Sequence, residues 1–170
     1  MTPLALEARP ELGAPILPPS QGFTLARPGP EDAALLTEWR ATYAIEALGE
    51  PAATARRSAA ETVEQWQRIS SHRLLWRDGQ PVAVAGFNAD LGDAVQVGGV
   101  FCPLALRGQG FARLAVALHL AEARDRGATK AVLFAASTPA ARAYRAIGFQ
   151  PAGAITLLLF SNPQEVAPCP

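Results

Sequence analysis

Six consecutive residues, Arg107-Gly108-Gln109-Gly110-Phe111-Ala112, carry the clearest chemical signal in the chain. They stand between an apolar run at 95–101 and a long alanine- and leucine-rich run that begins at Phe111. A strand that ends in a glycine-punctuated turn and opens a helix leaves several backbone N–H groups unpaired and pointing one way. The helix dipole adds partial positive charge at the same spot. Such a turn suits a phosphate or pyrophosphate, and Gly108 and Gly110 let the backbone approach it without Cβ atoms in the way. The turn is therefore expected to hold a phosphorylated cofactor.

Other residues invite chemical readings of their own. Leu35, Leu36, Trp39 and Tyr43 fall on one stripe at helical spacing, and Glu46 continues that stripe. A carboxylate among core-facing groups needs a reason. Cys102, at the end of the apolar run, reads as a nucleophile or as a small buried hydrophobe, and the second is the commoner fate of such a residue. His72 and His119 read as a strand-surface and a helix histidine, and neither has metal-ligand spacing, so no metal is expected.

The elements that must position these residues follow from pattern. Residues 1–22 contain Pro3, Pro10, Pro15, Pro18 and Pro19, a density that predicts a surface or disordered arm. A short strand is expected at 23–27. A helix follows at 30–48, with Pro30 at its first position, acidic residues in its first turn and Gly49 at its end. Ser58 and Glu61 read as a capping box opening a second helix through Val63, Trp66 and Ile69. Asp78-Gly79 joins two strands, 72–76 and 81–87, as a hairpin. Then come a strand at 94–101, the glycine turn, an apolar helix at 111–126, a strand at 130–135, a short helix at 139–147 and a strand at 154–160. That order suits an α/β mixed sheet with helices on both faces. It implies one domain at 23–161 between the arm and a loose tail at 162–170.

The totals bound the class. A chain of 170 residues, 49% hydrophobic and 18% charged, is about one soluble globular domain. Fifteen basic residues balance fifteen acidic ones, so neither a nucleic-acid surface nor a polybasic membrane patch is expected. Two cysteines make no disulfide framework, the N-terminal residues do not read as a signal peptide, and no run is long enough to span a bilayer. A cytoplasmic protein is expected.

With these motifs the chain resembles the GNAT superfamily of acyl-coenzyme A-dependent N-acyltransferases. The glycine turn fits that family's pattern of Gln or Arg, two residues, Gly, one residue, then Gly or Ala. The strand end Val100-Phe101-Cys102-Pro103 precedes it at the family's distance, and Tyr144 with Gly148-Phe149 resembles the second signature. The resemblance implies a mostly antiparallel sheet splayed between two central strands, with acetyl-coenzyme A in the split. The pyrophosphate would meet the amides of Arg107 to Ala112, and pantetheine would pair with the strand end formed by Val100, Phe101 and Cys102. Ser137 or Thr138 stands where many relatives place an asparagine that contacts the cofactor. A tyrosine placed like Tyr144 hydrogen-bonds the departing thiolate in that family.

The reaction implied is direct attack of an amine on the thioester. The amine must be neutral, although a lysine-type ammonium has a pKa near ~10.4, so a base or a desolvating pocket is needed. Glu46 is the candidate base or amine anchor, with an ion pair to a nearby arginine as its structural alternative. Tyr144 also reads as a core residue on the apolar face it shares with Ala140, Ala143 and Ile147. Two other functions compete. A dinucleotide-binding dehydrogenase is disfavoured because Arg113 occupies the place of the third glycine in its fingerprint. A non-catalytic acyl-coenzyme A-binding module or partner subunit remains. The acceptor, a small-molecule or peptide amine, is not named by the sequence. Its pocket is expected between the first two helices and the loop after Phe87, which carries Asn88, Asp90 and Asp93. Oligomeric state stays open, a homodimer among the options.

Overall fold

A computed structural model describes residues 4–12 and 16–156. Among these residues the chain forms seven strands and four α-helices: β1 (Leu4–Arg9), β2 (Phe23–Ala26), α1 (Ala33–Leu48), α2 (Ala52–Ile69), β3 (His72–Arg77), β4 (Gln80–Asp90), β5 (Ala94–Phe101), α3 (Phe111–Asp125), β6 (Lys130–Ala135), α4 (Thr138–Arg145) and β7 (Gln150–Ile155). One sheet contains all seven strands in the order β2-β3-β4-β5-β6-β1-β7. Every neighbouring pair is antiparallel except β5 and β6, as the mixed α/β expectation required.

Period-two alternation sends neighbouring side chains to opposite faces of this sheet. Leu74 and Val84 meet Leu36 of α1, Val63 of α2 and Phe101 on one face. Leu75, Ala83, Ala85 and Phe87 meet Phe111, Leu114 and Leu120 of α3 on the other. Helices therefore cover both faces. Eight of the fifteen residues of α3 are buried, consistent with its nearly continuous apolar sequence. Full burial of each large apolar side chain contributes roughly 1.5–3 kcal/mol. The hairpin between β3 and β4 turns at Asp78 (φ 50°) and Gly79 (φ 74°), the pair of left-handed residues that a two-residue hairpin of this hand demands.

The first strand corrects the reading of residues 1–22 as a surface arm. Leu4–Arg9 lies inside the sheet, with Ala5 opposite Ala135 of β6 and opposite Ala154 of β7. Pro3 and Pro10 bracket this segment and none falls within it, so proline density marks its ends. Glu7 is fully buried and accepts hydrogen bonds from Arg145 Nε at 3.1 Å and Nη2 at 2.6 Å, which ties β1 to α4.

Other boundaries moved less. Residues 30–32 form a single 3-10 turn ahead of α1. The α2 helix begins at Ala52, so Ser58 lies within it and donates to Glu50 Oε1 at 2.7 Å instead of capping an end. β7 starts at Gln150, earlier than the strand expected at 154–160. The part of that expectation beyond residue 156 and the tail at 162–170 lie outside the described residues.

Candidate active site

The parallel pair β5 and β6 stays in register from Ala94–Lys130 to Val97–Leu133 and then parts. Beyond that point β5 continues through a bulge to Phe101, with Gly99 at φ 61° and the ladder to β4 slipping between Val84 and Gly86. A bulge leaves a backbone group off the ladder and re-aims the strand. The result is an open V between the two central strands, closed at its mouth by the glycine turn and by α4.

At the turn, Gly108 (φ 81°) and Gly110 (φ 83°) occupy the left-handed region, and Gly110 caps α3 without a side chain. The first helical backbone bond runs from Leu114 N–H to the Gly110 carbonyl. Among the described residues, the N–H groups of residues 108–113 have no acceptor. They border a cleft of about 380 Å³ that brings Cys102 and Arg107 to Ala112 together with Arg113, Pro139 and Ala143. Arg113 lines this cleft, and its Nε is buried without a partner. A cation in the first turn of a helix opposes the dipole, so it needs an anion there. The placement of Arg113 directly after the glycine turn is the sequence signal for this role. Unpaired amides, an orphaned guanidinium nitrogen and positive-φ glycines are the donor set a diphosphate requires.

Arg107 fixes the near wall. Its Nη2 meets Glu46 Oε2 at 2.6 Å, its Nε donates to the Cys102 carbonyl at 3.0 Å, and its guanidinium lies over Phe101, 5.6 Å from the ring centre. Glu46 thus stands at the end of α1 beside the turn, with half-exposed side chains on both partners. Its Oε1 has no partner among the described residues. Cys102 is buried and its Sγ donates to the Val82 carbonyl at 3.4 Å. Burial pushes its thiol pKa up, an effect partly opposed by Arg107, so it is held as a thiol and makes a poor nucleophile.

Tyr144 projects from α4, edge-on to Phe149 at 6.2 Å. Burial, with a smaller contribution from the neighbouring Tyr43 phenol of α1, pushes its pKa up to about 12. Tyr43 is a further site candidate that helical spacing alone marked as core. Ser137 caps α4, accepting from Ala140 N–H at 3.3 Å, and Thr138 opens the helix. These two residues, with Val100, Phe101, Glu46 and Tyr144, do not line the cleft; Glu46 borders it through Arg107, and Tyr144 through its neighbour Ala143.

The loop after Phe87 lies elsewhere. β4 runs antiparallel to β5, so Asn88 and Asp90 stand at the opposite end of the sheet from the glycine turn. Asp90 is engaged there with Arg126. His72 is likewise not a surface residue. It is buried, stacked on Trp66 at 3.7 Å and wedged beside Gly86 and Gly99.

The family model for the acetyltransferase (GNAT) family matches residues 34–149, more than half of the chain. The chain belongs to the GNAT acetyltransferase family. Solved structures agree in fold. A GCN5-related N-acetyltransferase from Kribbella flavida superposes with TM-score 0.59 at 27% identity, over 89% of this chain and 55% of its own. A predicted acetyltransferase from Clostridium acetobutylicum, solved with acetyl-CoA, matches at TM-score 0.62 and 18% identity, over 81% of this chain and 96% of its own. A ribosomal-protein-alanine N-acetyltransferase from Brucella melitensis gives 0.62 at 20%, over 76% and 86%. The chain spans about half the length of several GNAT structures it resembles. No curated protein matches it. Among the described residues, no helix is long and apolar enough to cross a membrane.

Proposed function

We propose that this protein transfers the acetyl group of acetyl-CoA to a primary amine of a small molecule or peptide by direct attack on the thioester. The observation that carries this reading is the run of unpaired amides at 108–113, set with Arg113 on a cleft at the mouth of the β5–β6 split. In this reading the diphosphate of the substrate rests on those amides, and Arg113 supplies the countercharge. The pantetheine arm follows the free edge of β5 past Val100, Phe101 and Cys102, as a strand would. Ser137 keeps a hydroxyl hydrogen for the cofactor even while its oxygen caps α4, and Thr138 stands beside it.

The reacting groups then divide the work. The amine nitrogen forms a bond to the carbonyl carbon, the carbon–sulfur bond breaks, and the sulfur leaves as a thiolate. A strand amide near Phe101 or Cys102 donates to the developing oxyanion in this reading. Glu46 Oε1 accepts a hydrogen bond from the incoming ammonium, which gives one proton to water to become the neutral nucleophile. The second proton, shed by the nitrogen as the amide forms, leaves through the same carboxylate to water, while Oε2 keeps Arg107 against the turn. Tyr144 serves the thiolate. A thiol has a pKa of about 8.5, so full proton transfer from a phenol at about 12 runs uphill by roughly 5 kcal/mol. Tyr144 therefore acts by donating a hydrogen bond and stays a phenol throughout. The thiolate takes its proton from water after release. A cytoplasmic setting, where acetyl-CoA is made and buried Cys102 stays reduced, completes the proposal.

The deciding experiment is a panel of amine acceptors with acetyl-CoA, read by release of free thiol. Turnover with at least one amine supports the transferase. Binding of coenzyme A with no turnover across the panel would favour a non-catalytic acyl-CoA-binding module. Absence of coenzyme A binding would end both readings.

A further inference from the structure

A second cleft, of about 410 Å³, opens at the other end of α3. The fifteen residues of that helix separate it from the glycine turn by roughly 22 Å. Its size falls within the ordinary range of small-molecule sites. Three arginines line it, Arg27, Arg73 and Arg126, with one acidic residue among the lining, Asp90. Arg126 is tied to Asp90 at 3.2 Å. Arg73 is buried, with Nε on Glu122 at 2.8 Å and Nη1 on the carbonyls of Ser70 and His72, each at 2.9 Å. That leaves Arg73 Nη2, and all of Arg27, without an acceptor among the described residues.

His119 supplies an independent sign of a ligand. It is 2% exposed, stacks on Phe87 at 3.9 Å and lines the same cleft. Its Nδ1 is buried and has no partner. Burial and, next, the charge of Arg73 pull its pKa down to about 3, so the ring is neutral at physiological pH. The ring bonds the Ala85 backbone, and because Nδ1 has no partner that bond belongs to Nε2, which carries the one proton of the neutral ring and leaves a lone pair on Nδ1. A buried polar atom left unpaired is costly, and a ligand hydrogen would relieve it.

We propose that this cleft is a second binding site, for a small oxyanion that also carries a hydroxyl or ammonium hydrogen. Arg27 and Arg73 take the oxyanion, a carboxylate or a phosphate, and His119 Nδ1 accepts the ligand's O–H or N–H. Phe87 forms an apolar floor beneath them. The site is separate from the acetyl-transfer cleft and does not depend on it.

The test begins with the glycine turn filled by coenzyme A, so that its own anion site is closed. Inorganic phosphate and, separately, L-lactate are then titrated at ionic strength fixed with sodium chloride. Calorimetry and the ¹⁵N signals of the His119 ring report binding. Saturable one-to-one binding of either anion with a shifted His119 resonance is expected, and the anion that binds identifies the oxyanion. Arg27 is exposed and makes no hydrogen bond or ion pair among the described residues, so Arg27→Gln should keep the fold and weaken binding about tenfold, the loss of one charged hydrogen bond. The proposal is overturned if neither anion saturates, if sodium chloride alone moves the His119 signal equally, or if Arg27→Gln binds as tightly.

Discussion

The two ends of α3 hold clefts of nearly equal volume built from different materials, about 380 Å³ at the turn and about 410 Å³ at the other end. At the N-terminal end most donors are main-chain amides placed by two glycines, with Arg113 the one side chain beside them. At the C-terminal end they are arginines that follow β2, lie in β3 and follow α3, separated in sequence by up to about a hundred residues. A backbone site is local and is written into consecutive residues. A side-chain site exists only once the sheet has brought distant segments together.

The largest effect that would sharpen this contrast is acid sensitivity, expected from the side-chain end. His72 and His119 both have pKa values near 3 in the folded protein, lowered chiefly by burial, against about 6.5 when unfolded. Their depressed values mean the stabilisation is complete above pH 6.5 and is lost as pH falls towards 3. The loss is about 1.4 kcal/mol per pH unit for each, or ~4 kcal/mol for the pair by pH 5. Thermal unfolding at pH 7 and pH 5 should show the fall in Tm, and His119→Leu should reduce it by about half. A Tm independent of pH in this window would mean that these rings titrate normally.

Next comes the chemistry at the backbone end. Tyr144→Phe should lower kcat roughly a hundredfold with little change in the affinity for acetyl-CoA, the pattern of a contact made only in the transition state. Unchanged turnover would remove the phenol from the reaction. Gly110→Val places a β-branched residue at φ 83° and should weaken coenzyme A binding on the order of tenfold by equilibrium dialysis. The same variant should leave phosphate or lactate binding at the distant cleft intact, and a parallel loss at both ends would erase the distinction between them. The smallest effect is expected of Glu46→Gln. It should raise the KM for the amine several-fold and shift the acidic limb of the rate profile, whereas the loss of its exposed ion pair with Arg107 alone is a matter of about 0.2–1 kcal/mol.

The same contrast explains what the sequence disclosed. The hairpin at Asp78-Gly79, the burial of α3 and the glycine turn were legible because each is set by a few adjacent residues. Glu46 was noticed as a carboxylate out of place on an apolar stripe, but its partner Arg107 lies 61 residues away and no local pattern names it. His72 looked like a surface residue because its neighbours are polar, whereas its burial depends on Gly86 and Gly99 of two other strands. β1 was missed for a related reason. Its Glu7 and Arg9 suggest water, and the buried Glu7 is matched by Arg145 on α4, which no local pattern names.

The position of β1 also governs how the chain reaches this shape. Residue 5 must find residue 135 on one flank and residue 154 on the other, so half of the sheet stays open until nearly all of the described chain exists. Closure over such a span is slow, because the entropy of bringing the ends together is lost before any pairing is gained. During synthesis the leading six-residue strand waits with its Glu7 carboxylate hydrated. Once paired, Glu7 reaches Arg145, so the helix that carries Tyr144 is tied to the sheet through the earliest of the described strands.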